Sequence, residues 1–266
     1  RMNGIYYLYL QMDKCSNCGT GLNGKFCHNC GQGRVKRLEV KSMVHDVTHG
    51  ILHWENSILK TFRSLLLKPG QTANDYIAGK RKHFVKPFSY FIFMQTLFVV
   101  VFHRMSEKYF AFLNYNIRSD SDKIQERVVE IQHIVSQYVN YLNYVMPVIF
   151  AFFLYMFFRK KKGINYAEAL AASFYWVATT LVFSITLMLL SVIDVSFWNA
   201  RFFVNITYYI IAIKTFSGLS WGKGIVKGIF VSMLSYTVFV ILVAVLAVLY
   251  LQFITGINIF GALGLS

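Results

Sequence analysis

Five apolar segments after residue 86 limit the fold more than any other feature of the chain. They cover about 87–104, 138–158, 167–193, 200–216 and 225–254. A helix needs about 20 apolar residues to cross the hydrocarbon core of a bilayer, with a lower bound near 17. Because the bilayer core offers no water to unpaired backbone groups, such segments cross as helices. We therefore predict an all-α integral membrane bundle of about five transmembrane helices.

The composition agrees with a membrane protein. Charged residues make up 15% of the 266 residues, whereas a typical soluble domain has about 25%. Glu168 and Asp194 stand near the ends of the third segment, where we expect water to reach them. Pro147 is expected to kink the second segment. Gly224 and Gly228 have the spacing that lets two membrane helices pack closely.

Three clusters of basic residues predict how the segments are oriented. They are Lys80, Arg81, Lys82 and Lys86 before the first segment; Arg159, Lys160, Lys161 and Lys162 after the second; and Lys214, Lys223 and Lys227 around the gap between the fourth and fifth. Basic residues near helix ends stay in the cytoplasm. If all five segments cross, all three clusters fall on one side. This predicts a bacterial inner-membrane protein with a cytoplasmic N-terminus, a periplasmic C-terminus and an outer loop over 105–137.

The same basic clusters hold 11 of the 27 Lys and Arg residues behind the net charge of +15. A strongly basic chain is often a nucleic-acid binder. Here the charge flanks the apolar segments, so we expect the partners to be the bilayer and its anionic lipid headgroups rather than nucleic acid.

A four-cysteine module precedes the apolar segments. Cys15, Cys18, Cys27 and Cys30 form two C-x-x-C-G pairs separated by eight residues, and the chain has no other cysteine. Such clustering is typical of a metal site in a reducing compartment rather than of disulfides. Four thiolates complete a tetrahedral shell, so residues 12–33 are predicted to form a zinc ribbon with a closed, structural site. The metal is expected to supply most of its folding free energy.

Two other uses of these cysteines compete with zinc. A single iron ion accepts the same ligands, but no partner redox motif accompanies them, so zinc is favoured. Redox-active dithiols are typical of a thioredoxin-like frame, and the chain lacks its βαβ pattern. We expect His28 to lie exposed between Cys27 and Cys30 and not to bind the metal.

Residues 34–86 are predicted to form cytoplasmic amphipathic and basic helices beside the membrane. Apolar residues recur three or four apart over 38–68, Pro69 and Gly70 stop that helix, and a second short helix is expected over 72–78. Residues 32–37 are a basic linker. Residues 1–11, before the ribbon, are interpreted as a leader or a mis-set start, because the sequence from Met12 onwards is typical of the start of a protein.

A row of histidines lies on the first of these helices. His45, His49 and His53 are four residues apart, which places them on one helix face. Histidines at this spacing bind metals in some proteins, so the row is a candidate second metal or functional site. The alternative is an ordinary packing row against the membrane surface or neighbouring helices.

Two stretches together resemble a known family. "CSNCGTGLNGKFCHNCGQ" and "LLLKPGQTANDYIAGKRKHFVKPF" are similar to the DUF3667 family of uncharacterised bacterial membrane proteins, which is common in Bacteroidetes. The likeness covers residues 15 to about 100. It implies a zinc-ribbon head with the four cysteines as ligands, several membrane helices, and juxtamembrane roles for Pro69, Gly70, Gly79, Lys80 and Arg81. It implies no established activity.

The sequence offers no catalytic arrangement, whether a nucleophile elbow, a phosphate-binding loop or a dinucleotide motif. The leading hypothesis is a non-enzymatic membrane protein whose ribbon and basic helix form a cytoplasmic interaction or regulatory head, with a cytoplasmic protein partner on the ribbon. One alternative is a transporter or permease-like bundle regulated by the ribbon. Another is a membrane enzyme that acts on lipid. The oligomeric state is not predicted.

Overall fold

The computed structural model describes residues 14–45, 55–116, 141–194 and 196–253. Within these ranges the chain is all-helical, and its extended contacts are two isolated β-bridges in the ribbon. The eight α-helices are α1 (Val40–His45), α2 (Glu55–Leu67), α3 (Pro69–Ile77), α4 (Pro87–Asn116), α5 (Met146–Lys162), α6 (Tyr166–Leu190), α7 (Ser196–Ser217) and α8 (Trp221–Phe253).

The core of the molecule is built around α6. This helix contacts α4, α5 and α7 as well as the three short helices α1, α2 and α3. Every residue from 167 to 181 is buried, and five alanines in the stretch 167–178 allow neighbouring helices to approach closely. α8, in contrast, packs on α5 and α7 and exposes most of its apolar side chains.

Three helices are long and apolar enough to cross a membrane: Pro87–Met105 within α4, Tyr166–Leu190, and Trp221–Leu249 within α8. They correspond to the first, third and fifth predicted segments. α5 has 17 residues and follows a 3-10 turn, Asn143–Val145. Pro147, which was expected to kink the second segment, lies in the first turn of α5. α7 has 22 residues but includes Arg201, Asn205 and Lys214. The structure therefore supports a membrane protein with three candidate spans, and five remain a prediction.

Two boundaries differ from the sequence predictions. α4 continues to Asn116, so residues 105–116 are helical and not part of a loop. The rest of the predicted outer loop, 117–137, lies outside the described residues. α3 begins at Pro69, earlier than the predicted 72–78, because proline is favoured in the first turn of a helix, where its missing N–H costs nothing.

The start of α6 shows why one expectation about Glu168 is wrong. The Asn165 side chain accepts a hydrogen bond from the Glu168 backbone N–H (2.8 Å), and the Glu168 carboxylate accepts one from the Asn165 N–H (2.9 Å). This reciprocal capping box folds the carboxylate back onto the helix end. Glu168 is fully buried, whereas Asp194 is exposed as expected.

Gly224 and Gly228 bring α8 against α7. A Cβ atom on Gly224 would lie 2.8 Å from Lys214 Cγ, and one on Gly228 would lie 3.1 Å from Ile210 Cα. A side chain at Gly224 would force Lys214 to shift, and one at Gly228 would press α7 away by a few tenths of an ångström, so the two glycines favour this close approach. The small-residue motif therefore serves packing within the chain, as the spacing predicted.

The second and third basic clusters lie at the same end of the bundle. Lys162, the last residue of α5, donates to Asn74 Oδ1 (2.7 Å) and to the carbonyl oxygen of Phe216, near the end of α7. Lys227, near the start of α8, lies over the Phe158 ring, 5.3 Å from its centroid. The end of α5, the end of α7 and the start of α8 therefore meet, and α3 lies against them through Asn74.

Candidate metal centre and its contact with the helical bundle

The four cysteines lie on two matching turns. In the first, the Cys15 N–H donates to the Thr20 carbonyl and the Gly19 N–H donates to the Cys15 carbonyl, both at 2.8 Å. In the second, the Cys27 N–H and the Gly31 N–H make the equivalent bonds, again at 2.8 Å. Gly19 and Gly31 have φ values of 77° and 70°, which a residue with a side chain rarely adopts. The glycine after each cysteine pair is therefore required by the turn.

The turns bring the four sulfur atoms together. The Sγ atoms of Cys15 and Cys30 are 3.5 Å apart, as are those of Cys18 and Cys27, and all four lie within 4.8 Å of one another. Zn–S bonds of about 2.3 Å in a tetrahedron require sulfur–sulfur distances of about 3.8 Å. The four thiols are free of disulfides. The donor set and its spacing therefore fit one tetrahedral metal ion.

The two ends of the cluster differ electrostatically. Burial raises the pKa of the Cys15 thiol to about 11. The hydrogen bond with the Thr20 hydroxyl lowers the pKa of the exposed Cys18 thiol to about 6. A metal binds thiolates, so Cys18 is ready to bind at neutral pH, whereas Cys15 must lose its proton as the ion enters.

The histidines predicted near the ribbon have different fates. His28 is exposed between two ligand cysteines, as expected. His45 is the last residue of α1, while His49 and His53 lie outside the described residues. The histidine row therefore stays a prediction.

The ribbon is held against the bundle by Gln32, a residue that the sequence placed in a linker. Its Nε2 donates to the Gly79 carbonyl (2.8 Å), and its Oε1 accepts from the backbone N–H groups of Arg81 and Lys82 (3.0 Å each). Its backbone carbonyl accepts from the N–H of the ligand Cys27 (2.8 Å). One buried side chain thus connects the second cysteine turn to residues 79–82, which we call the ribbon seat.

The ribbon seat fits closely around the ribbon. Gly79 has φ +97°, and a Cβ there would lie 3.1 Å from the Ser16 side chain and 3.2 Å from Val35 Cγ1. The Arg81 guanidinium donates to the Lys36 carbonyl (3.2 Å) and stacks over the Tyr76 ring at 5.2 Å. Part of the first basic cluster therefore contacts protein. Lys80 pairs with Asp75 (2.9 Å) at the exposed edge.

A second attachment lies at residue 37, where the linker crosses the start of α6. Arg37 Nε donates to Glu168 Oε1 (2.9 Å) and its Nη2 to Oε2 (3.2 Å), so the pair is bidentate. Nη2 also donates to the Gly163 carbonyl (2.8 Å). The Asn165 side chain donates to the Leu38 carbonyl (3.0 Å). The residues after the ribbon are therefore fixed to the bundle and do not form a free linker.

Most of the second basic cluster faces outwards. Arg159, Lys160 and Lys161 are exposed, and Arg159 lies over the Tyr155 ring at 5.6 Å. Lys162 turns inwards to α3 and α7. In the first cluster, Lys82 is exposed and Lys86 is half-buried.

The sequence analysis missed Gln32, Arg37, Asn165 and Glu168 as site residues. Asn165 and Glu168 carried a usable signal, because the spacing N-x-x-E is that of a capping box. Gln32 and Arg37 carried none, since their partners lie 47 and 131 residues away in the chain.

A comparison with protein families gives a match in the first half of the chain. Residues 55–99 match the family described as "Protein of unknown function (DUF3667)", a stretch that covers α2, α3 and the first part of α4. Comparisons with curated proteins and with solved structures give no match.

Proposed function

We propose that this chain, a member of the DUF3667 family, is a multi-pass membrane protein whose ribbon is a metal-dependent regulatory head. The function of the family is unknown, so membership assigns no activity. The head would bind zinc through Cys15, Cys18, Cys27 and Cys30. We place it in the inner membrane of a bacterium, with the ribbon and the basic clusters in the cytoplasm and five spans that leave the C-terminus in the periplasm.

The contacts of Gln32 are the observation that carries this proposal. Its main chain is bonded to the ligand Cys27 and its side chain to the ribbon seat, which leads directly into α4. A small ribbon without its metal loses most of its folding free energy. Loss of the ion therefore removes the geometry that presents Gln32, and the start of α4 loses its partner.

The contact of Arg37 with Glu168 extends the effect to α6. Its guanidinium joins the residues after the ribbon to the first turn of the helix on which the bundle is built. The ribbon and the residues after it thus contact the segment that leads into one candidate span and the first turn of another. This supports a regulatory role, in which the state of the head biases the bundle, over a head that only recruits a partner.

Metal content and hydrogen exchange test the proposal together. We expect the purified full-length protein to contain one zinc ion per chain, and Cys15→Ser or a strong chelator to remove it. Because the seat is held by the folded ribbon, amide exchange should rise across residues 79–85 and 165–168. His28→Ala is the matched control, since His28 is exposed between the ligands and its loss should change neither measurement.

Two results would contradict this function. One is a metal-free protein with unchanged protection at residues 79–85. The other is a stoichiometric iron centre, detected by its absorption, which would replace the structural zinc site by an electron-transfer site.

A further inference from the structure

The hairpin formed by α2 and α3 has an unusual position for a juxtamembrane element. Its elbow, residues 65–70, is bonded to side chains well inside the bundle. Tyr208 OH donates to the Leu65 carbonyl (3.1 Å), and Trp176 Nε1 donates to the Pro69 carbonyl (3.2 Å). Tyr208 is nine residues from the end of α7 and Trp176 ten from the start of α6. At 1.5 Å per residue, the Cα atoms of both lie roughly 14 Å along their helices from that end. Gly70, the last residue of the elbow, contacts Thr215 in the last turn of α7, so the elbow lies between that end and this depth.

The start of the first candidate span provides a second depth marker. The Val85 N–H, two residues before α4, donates to the Thr61 hydroxyl on α2 (3.0 Å). Leu65, four residues further along α2, accepts the hydrogen bond from the Tyr208 hydroxyl through its carbonyl oxygen. α3 then returns past Thr215 and Phe216 towards the ribbon seat. The hairpin therefore enters and leaves at the ribbon end of the bundle.

The broken backbone at the elbow is supplied with donors from protein. The Thr72 hydroxyl donates to the Ser64 and Lys68 carbonyls (3.0 and 2.8 Å), and the Gly70 N–H donates to the Thr215 hydroxyl (3.1 Å). With Tyr208 and Trp176, the carbonyls of residues 64, 65, 68 and 69 all have side-chain donors. Water would serve an elbow in the cytoplasm, whereas non-helical backbone at membrane depth must be satisfied by protein.

The outer face of the hairpin combines leucines with basic residues. Leu59, Leu66 and Leu67 are 70%, 45% and 66% exposed, and Lys60, Arg63 and Lys68 are exposed beside them. Long basic side chains reach the phosphates while their stems lie along apolar surface. A basic helix with an exposed apolar stripe is suited to the boundary between headgroups and acyl chains.

From the depth of the elbow and the character of its outer face, we propose that residues 55–77 form a wedge inserted into one leaflet. Leu59, Leu66 and Leu67 contact lipid acyl chains, and Lys60, Arg63 and Lys68 contact the phosphates of anionic phospholipids. The proposal rests on the membrane location proposed above and goes beyond the expectation that residues 34–86 form cytoplasmic helices beside the membrane. It does not depend on the metal.

Photocrosslinking in the full-length chain tests the wedge. A benzophenone amino acid is placed at Leu66, in protein reconstituted into vesicles of phosphatidylglycerol and phosphatidylethanolamine. We expect a mass increase of one phospholipid on the fragment that contains residue 66. Val240, an exposed residue of α8, is the positive control, and Phe26, 70% exposed on the ribbon, is the negative control. Leu59 provides a second position on the wedge should the change at Leu66 disturb folding.

The outcomes separate the wedge from the anchor. Lipid adducts at position 240 with none at 66 or 59 would overturn the wedge and leave the anchor intact, as would crosslinks from 66 to a second copy of the chain. Absence of adducts at 240 as well would overturn the membrane location itself. If adducts form at both 66 and 240 in the anionic vesicles, and neutral phosphatidylcholine vesicles abolish only the adduct at 66, the contact with anionic lipid is supported.

Discussion

At the scale of single residues, Gly70 is the position with the least room. A Cβ there would lie 2.1 Å from the Phe216 backbone nitrogen and 2.5 Å from the Ala212 carbonyl oxygen. Both obstacles are backbone atoms of α7, so a rotamer change cannot relieve the clash. The elbow can approach α7 only because this residue has no side chain.

We expect Gly70→Ala to destabilise the protein by at least the roughly 1–3 kcal/mol that overpacking typically costs. Thermal unfolding in detergent measures the loss, and lipid crosslinking at the elbow should fall with it. Gly222→Ala is the matched control, because a Cβ on Gly222 meets nothing within 4 Å and alanine favours the helix. Equal stability of the two variants would show that α3 does not pack on α7 as described.

At the scale of secondary-structure elements, an ion pair strengthens the attachment of the residues after the ribbon to α6. Glu168 is completely buried, while the Arg37 side chain is 35% exposed. Removing Arg37 leaves the buried Glu168 carboxylate without its ion-pair partner, which costs about 1–3 kcal/mol. Breaking this pair therefore costs more than breaking an exposed one.

A double-mutant cycle with Arg37→Gln and Glu168→Gln should reveal this coupling. We expect the two changes to be non-additive, since the second removes a partner already lost. Lys80→Gln serves as the comparison, because Lys80 and Asp75 form an exposed pair of about 0–1 kcal/mol. Strictly additive losses in denaturant unfolding would mean that Arg37 and Glu168 do not act together.

The elements differ in how far local sequence predicts them. Pro69 marks the break between α2 and α3, and the spacing of Asn165 and Glu168 marks the start of α6, because both act over a single turn. The depth of the elbow was not predictable, since its carbonyls are bonded to Trp176 and Tyr208, 107 and 143 residues away. The same holds for the ribbon seat, which depends on Gln32.

At the scale of the whole molecule, the ends of the helices define two sides. One side holds the ribbon, the entrance of the hairpin and the turn between α7 and α8. Hydrogen bonds among Asn74, Lys162 and Phe216 hold the helix ends together there. The turn after α6, residues 191–194, follows the other end of that helix. The apolar lengths predicted three candidate spans that the structure contains, in the first, third and fifth segments, because span length follows from bilayer thickness. The apolar lengths could not predict that the ribbon contacts the helical bundle.

Epitope insertion tests the proposed arrangement of the two sides. An epitope at Gly218, whose surroundings are open, should be accessible only from the side that holds the ribbon. One at Val192, 68% exposed, should be accessible only from the opposite side. The physical reason is the positive charge around the turn between α7 and α8, which resists translocation. Detection of both epitopes from one side of sealed vesicles would refute the five-span arrangement.

The bond between Arg37 and Glu168 also has a consequence for the time course of synthesis. The ribbon leaves the ribosome first, but its partner on α6 follows 131 residues later. At about 5–20 residues per second, that interval is on the order of 10 s. Until the ribbon seat is made, 47–50 residues after Gln32, the new ribbon has no partner in the chain, and its attachment to α6 comes later still. Early capture of an ion would therefore protect its four thiols from other reactions before the bundle forms.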